Sequence, residues 1–187
     1  MNKNYLIIAI VIVVVIIGGV VLYNGDSTNN NQNTNSGATT NNQPVVKEPK
    51  QDKAPAFSLQ DYEGNTVSST DFAGKSLIVN SWASWCPFCV DELPDFATIQ
   101  SEFKDDIVII AINRVESIST AKGFSDKLGV SGKLVLLLDP GDSFYQSIGG
   151  FSMPETIFVD TEGNIVEHKR GIMSLSQIRS KVNQYFK

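Results

Sequence analysis

Apolar positions fall into three regimes along the chain. Over 6–22 they are nearly continuous, rich in Ile and Val and interrupted only by Gly18 and Gly19. Over 24–53 they almost vanish in favour of Asn, Thr, Ser, Gln and Gly. From Ala54 onward, short apolar runs alternate with stretches in which apolar residues recur every three or four positions. Such runs predict buried strands, and such spacing predicts helices with one face on a core.

Within the third regime, 56–59 and 66–67 flank Asp61-Tyr62-Glu63-Gly64-Asn65 and predict a short hairpin. A buried strand is expected over 75–81. The main helix follows over 87–104, with Leu93, Phe96, Ala97 and Phe103 facing the core. Pro94 lies inside that helix and is expected to bend it. The continuous run 107–112 predicts a central strand. A helix over 117–128, a strand over 134–138 and a short helix over 142–148 come next. Strands over 156–159 and 165–169 flank the turn Thr161-Glu162-Gly163-Asn164. The last helix, 174–186, carries Leu175, Ile178, Val182 and Phe186 on one face. Alternating helices and apolar strands indicate an α/β sandwich around a mixed central sheet.

The first regime is 17 residues long, at the short end for a membrane-spanning helix, and Tyr5 and Tyr23 bracket it as interfacial aromatics do. Lys3 precedes it and no basic residue follows until Lys47. That asymmetry places the N-terminus in the cytoplasm and the rest outside. A cleaved signal peptide is the alternative, although no Ala-x-Ala site closes the run. The expected organisation is a membrane anchor (or signal peptide) over 1–23, a disordered Asn-rich linker over 24–53 and a folded domain over 54–187. A linker of this composition has almost nothing to bury and a reach on the order of 30 Å. The domain is long enough for a single core. The net charge of −5 excludes a nucleic-acid footprint.

The candidate chemistry sits in Trp82-Ala83-Ser84-Trp85-Cys86-Pro87-Phe88-Cys89, between a predicted strand and the main helix. Its two cysteines are the only ones in the chain. With Cys86 as N-cap, its sulfur faces unpaired N–H groups, including that of Cys89, and the positive helix end favours thiolate. Pro87 then takes the first helical position, where its missing N–H costs nothing. Cys89 is close enough to close a disulfide with Cys86, so one sulfur can attack a partner's disulfide and the other can release it. A structural staple is a weak reading, because the loop closed is too small to constrain the unfolded chain much. A zinc site lacks ligands, since His168 is the only histidine. Neither metal nor cofactor is expected.

The ordered passages Ala54-Pro55-Ala56-Phe57-Ser58-Leu59, Val79-Asn80-Ser81 running into the cysteine motif, Glu92-Leu93-Pro94, and Met153-Pro154-Glu155-Thr156-Ile157-Phe158-Val159-Asp160 make 54–187 resemble the thioredoxin superfamily. The resemblance is to its membrane-anchored TlpA/ResA/DsbE-like thiol-disulfide oxidoreductases. It implies a thioredoxin-like fold with an N-terminal hairpin and an inserted helix–strand unit around 117–138. It implies Cys86 as nucleophile and Cys89 as resolving cysteine. It also implies a cis Pro154 opposite the pair, with Met153 facing the sulfurs. Trp85, Pro87, Phe88, Met153 and Pro154 are the expected substrate-binding residues, with Trp82 in the core and Trp85 on the rim. Asn80 stands where many thioredoxins have a buried aspartate. Glu92 matches a glutamate of the ResA branch and is a candidate acceptor for the Cys89 proton, against the plainer reading that Asp91 and Glu92 favour the positive helix end. His168 is expected half-exposed on the last hairpin, without a function.

The implied activity is disulfide exchange with exported proteins, as a reductant serving cytochrome c maturation and recharged by an integral-membrane electron carrier. Pro87-Phe88 stands where the cytochrome-maturation members commonly have Glu-Pro. The alternatives are an oxidant of the same fold, a peroxiredoxin-like peroxidase and a Sco-like copper carrier. Ala83 occupies the position where the peroxidase needs Thr, and the cysteine spacing is one residue shorter than the copper carrier's.

Overall fold

The two-residue alternation of apolar side chains sorts every central strand onto two buried faces. The computed structural model describes residues 52–104 and 106–187. The hairpin is β1 (Ser58–Asp61) and β2 (Thr66–Ser68), closed by Asp61, whose carboxylate accepts the N–H groups of Glu63 and Asn65. Then come β3 (Ser76–Trp82), α1 (Pro87–Glu102), β4 (Ile107–Arg114), α2 (Ile118–Lys127) and β5 (Val135–Asp139). The chain ends with α3 (Ser143–Ser147), β6 (Glu155–Val159), β7 (Ile165–Arg170) and α4 (Leu175–Phe186).

The strands form one sheet in the order β2-β1-β5-β4-β3-β6-β7. Pairing is parallel between β3 and β4 and between β4 and β5, and antiparallel elsewhere. This is the mixed thioredoxin-like sheet flanked by helices. The N-terminal hairpin docks on β5, the strand of the inserted unit. One difference from expectation is the length of β4. Its apolar run stops at Ile112, yet Asn113 and Arg114 continue the ladder opposite Leu138 and Asp139, because backbone pairing does not require apolar side chains.

On one face, Ile78, Trp82, Ile109, Ala111, Leu136 and Phe158 pack against Leu93 and Phe96 of α1 and Ile178 and Val182 of α4. On the other, Leu77, Val79, Ile110, Ile112, Leu137, Ile157 and Val159 pack with Phe57 and Phe144. Helix α1 continues through Pro94. Leu93, Phe96 and Ile99 are fully buried there, and at roughly 1.5–3 kcal/mol each their burial outweighs the ~3 kcal/mol cost of an interior proline.

At the start of the described chain, Asp52 and Ala54 pair with Ile165 and Gly163 beside the β6–β7 turn. Among the described residues no helix is long and apolar enough to cross a membrane. The anchor predicted over 1–23, and the linker up to residue 51, lie outside the described residues.

Candidate functional site

Strands β3 and β4 run parallel and β6 runs against them, so the C-terminal ends of β3 and β4 and the N-terminal end of β6 share one edge of the domain. The cysteine loop leaves β3 there. Cys86 is the N-cap of α1, with extended backbone (φ −97°, ψ 102°) and Pro87 immediately after it. Its sulfur accepts the N–H of Cys89 at 3.2 Å, and the two cysteines are joined as a disulfide with Cα atoms 5.3 Å apart. Cys86 is 4 % exposed and Cys89 1 %. Trp85 (58 %) and Phe88 (57 %) stand exposed on either side, and Pro87 is exposed between the cysteines. Trp82 is buried in the core.

The register Ser81–Glu155 brings the residues before β6 alongside this loop. The Met153–Pro154 peptide bond is cis. Met153 packs on the apolar cluster that contains both cysteines, and Pro154 is buried.

Glu92 lies three residues beyond Cys89, on the same side of α1. It is 1 % exposed. Its Oε1 accepts the Met173 N–H at 2.8 Å, and its Oε2 accepts a longer bond, 3.3 Å, from Asn80 Nδ2. Burial pushes its carboxyl up to about 8; the Met173 N–H opposes this, Asp95 adds to it, and Lys169 and Asn80 oppose it weakly. Asn80 Nδ2 also donates to Thr156 Oγ1 at 3.0 Å, while Asn80 Oδ1 has no partner among the described residues.

Two carboxylates that sequence reasoning did not assign hold the loops around the disulfide. Glu116, two residues past β4, accepts the N–H of Ser84 at 2.8 Å, the Ser84 hydroxyl and the amide of Asn113 at 2.7 Å. It is brought back toward Ser84 by Val115, whose φ of +47° is strained for a β-branched residue by about 1–3 kcal/mol. A polar residue just past a strand parallel to the cysteine strand is the signal that points to it. Glu155 is fully buried at the start of β6. Its Oε1 accepts the N–H groups of Phe151 (2.6 Å) and Ser152 (2.8 Å), and its Oε2 lies 2.5 Å from His168 Nε2. Arg170 Nε is 3.4 Å away. Burial works to raise the Glu155 carboxyl, but the N–H groups of Ser152 and Phe151 and the His168 imidazole outweigh it and hold it below the usual carboxylate range. His168 thus lies on β7 as expected, but as the partner of a buried acid.

A disulfide at the N-terminus of a helix, with a protonated carboxyl one turn along, can open by attack at Cys86 and close again by attack from Cys89. The Redoxin family model matches residues 49–185. The chain is 32% identical over 124 residues to the thiol-disulfide oxidoreductase ResA of Halalkalibacterium halodurans, covering 66% of this chain and 69% of that one. It is 30% identical over 131 residues to ResA of Bacillus subtilis, covering 70% and 72%. An exposed lipoprotein thioredoxin of Streptococcus pneumoniae superposes with a TM-score of 0.62 at 29% identity, over 70% of this chain and 99% of that one. A thiol:disulfide interchange protein of Chlorobium tepidum shares the fold, with a TM-score of 0.65 at 24% identity over 73% and 97%. The chain belongs to the Redoxin family, and within the thioredoxin superfamily to the ResA-type thiol-disulfide oxidoreductases.

Proposed function

We propose that this thiol-disulfide oxidoreductase works outside the cytoplasm as a reductant of disulfides in exported proteins. Residues 1–23 would anchor it, 24–53 would tether the catalytic domain, and an integral-membrane electron carrier would recharge it. The positions of Lys3 and the apolar run support that orientation. Cytochrome c precursors, whose paired thiols must be reduced before haem attachment, are the substrate class carried over from the family resemblance.

The chemistry follows from the position of each group. In the reduced protein the Cys86 thiolate, favoured by the Cys89 N–H and the helix end, attacks one sulfur of the substrate disulfide. A mixed disulfide forms and one substrate sulfur leaves as a thiolate. Cys89 then gives its proton to the ionised form of Glu92, the minor form at neutral pH, and the resulting thiolate attacks Cys86, which releases the second substrate sulfur as a thiolate and closes the Cys86–Cys89 bond. Two electrons pass to the substrate, and the enzyme is left oxidised. Re-reduction runs the other way: a donor thiolate attacks Cys86, and the neutral Glu92 protonates the departing Cys89 sulfur. A carboxyl poised near 8 is matched to a thiol, whose ordinary pKa is about 8.5, so the proton moves either way at little cost. Met153 and Pro154 would align the substrate backbone, and Trp85, Pro87 and Phe88 would give it an apolar seat.

The observation that carries this reading is Cys86 as helix N-cap, joined to Cys89, with the buried Glu92 one turn on. The test is the reduction potential of the Cys86–Cys89 couple in the full chain. A value near about −270 mV or lower is expected for a reductant, and a value near about −120 mV would reverse the proposed direction.

A further inference from the structure

The segment between α3 and β6, residues 148–154, brings Met153 and Pro154 alongside the cysteine loop, and its backbone N–H groups can be followed one at a time. The Gly149 N–H donates to the Gln146 carbonyl at 3.0 Å and the Gly150 N–H to the Tyr145 carbonyl at 2.9 Å. The N–H groups of Phe151 and Ser152 both go to Glu155. The next N–H, that of Met153, has no acceptor among the described residues. Met153 is half-buried and packs on the cluster that contains both cysteines.

The direction of that N–H is set by its own peptide unit. The Ser152–Met153 unit is trans, so its carbonyl and its N–H point opposite ways, and whatever holds the Ser152 carbonyl also orients the Met153 N–H. The Tyr145 hydroxyl holds it, donating to the Ser152 carbonyl at 2.9 Å. Tyr145 is fixed in turn by two neighbours. The Arg114 guanidinium lies over its ring, 3.4 Å from the centroid, as a cation–π contact. Arg114 is locked by the Asp142 carboxylate, which accepts its Nε at 2.6 Å and its Nη2 at 2.5 Å. Gly150 is the second neighbour: a Cβ there would overlap ring carbons Cδ1, Cε1 and Cζ of Tyr145. Packing alone would be served by a phenylalanine at 145. The hydroxyl adds a bond to the one peptide unit that ends in the free N–H.

We infer that Tyr145 is a positioning residue for protein substrates, held in place by Arg114 and by the absence of a side chain at Gly150. It aims the Met153 N–H at a backbone carbonyl of the substrate, beside the cysteine under attack. The substrate class this favours is an extended peptide chain read through its backbone amides. The inference rests on the alignment of substrate backbone by Met153 proposed above.

The test compares rates of the reduced full chain with three disulfides. One is dithiobis(nitrobenzoate), a small aromatic disulfide with no peptide group. The second is the symmetric disulfide of a capped Ala-Ala-Cys-Ala-Ala peptide. The third is the same peptide with the amides flanking its cysteine replaced by esters, which lack the N–H and whose carbonyls accept weakly. In each reaction Cys86 and Cys89 give up two electrons and close their disulfide, and both halves of the reagent leave as thiols. Well below saturation, the wild type is expected to reduce the amide peptide about fivefold faster than the ester, the effect of one backbone hydrogen bond. In Tyr145→Phe and in Gly150→Ala that ratio should fall below about twofold, while the small disulfide keeps its wild-type rate. For the amide peptide the loss should appear in KM, with kcat retained. Tyr145→Phe keeps the ring and its packing, so it tests the hydroxyl even where Gly150→Ala lowers stability. A wild-type ratio that survives in both variants overturns the role of Tyr145 alone. A small-disulfide rate that falls as far as the peptide rate also overturns it, because Tyr145 would then support the cysteines and not the substrate. Equal wild-type rates for the two peptides overturn the alignment by Met153, and the inference with it. No reaction with the small disulfide overturns the exchange reading itself.

Discussion

Glu92 and Glu155 are carboxyl groups closed to solvent at the same end of one sheet, 1 % and 0 % exposed, with Glu92 the more deeply set, and they are held in opposite states. Glu92 meets one backbone N–H and a long amide contact, with no cation bonded to it, and burial drives its carboxyl up to about 8. Glu155 meets two backbone N–H groups, an imidazole and a guanidinium, and is held below the ordinary carboxylate range. Burial sets the cost of a charge, and the donors decide whether that cost is met. The division suits a redox site. In the proposed mechanism the acid one turn past Cys89 exchanges a proton, and the acid behind Met153–Pro154 is a fixed charge that holds the segment before β6.

The largest way to sharpen this contrast is to follow stability against pH in Glu92→Gln. The folded protein keeps the Glu92 proton up to about pH 8, whereas the unfolded chain releases it near 4.5, so between those values the folded state binds more protons. Wild-type stability therefore falls as pH rises through that window, by up to roughly 5 kcal/mol from this group. The glutamine variant lacks that loss. Urea unfolding of the oxidised proteins should give equal stabilities at about pH 4 and a variant advantage that grows toward about pH 8. A constant difference across the range would mean that Glu92 is ionised like a surface acid.

Glu155→Gln is expected to act in the opposite direction and to a smaller extent. The neutral amide weakens the bonds to Phe151 and Ser152 and turns a donor toward His168, for a loss of about 2 kcal/mol at neutral pH. The wild-type contribution from Glu155 is present above the ordinary carboxylate range and is lost as pH falls through its lowered folded value. The penalty should therefore shrink on acidification. A penalty that stays the same in acid would break the comparison, because it would show that packing and not charge is what Glu155 supplies.

Much of this was legible in the sequence, for local reasons. Strand runs, helix spacing, the N-cap position of Cys86 and the turn acids are written within a few residues of where they act. The ordered motifs identified the fold, and the exposed Trp85 and buried Trp82 lie where the resemblance put them. What was not legible depends on register between distant segments. Glu116 reaches Ser84 only because β3 and β4 pair in parallel with Trp82 opposite Asn113. Glu155 is adjacent to Pro154 in sequence, but its partners His168 and Arg170 arrive through the β6–β7 pairing. Glu92 could be placed on the Cys89 side of a helix, but its full burial needs Met173, 81 positions away, to cover it. The left-handed Val115 gave no warning, since β-branched residues rarely adopt that conformation.

The most direct test of the proposed proton transfer is the pH dependence of one step, the release of substrate from its mixed disulfide with Cys86. Single-turnover release should be followed from about pH 5 to about pH 9 in the wild type and in Glu92→Gln. The wild-type profile is expected to bend near pH 8, where the Glu92 carboxyl titrates. The variant should lose that bend and release substrate on the order of a hundredfold more slowly. Superimposable profiles would contradict the account and leave Cys89 to lose its proton directly to water.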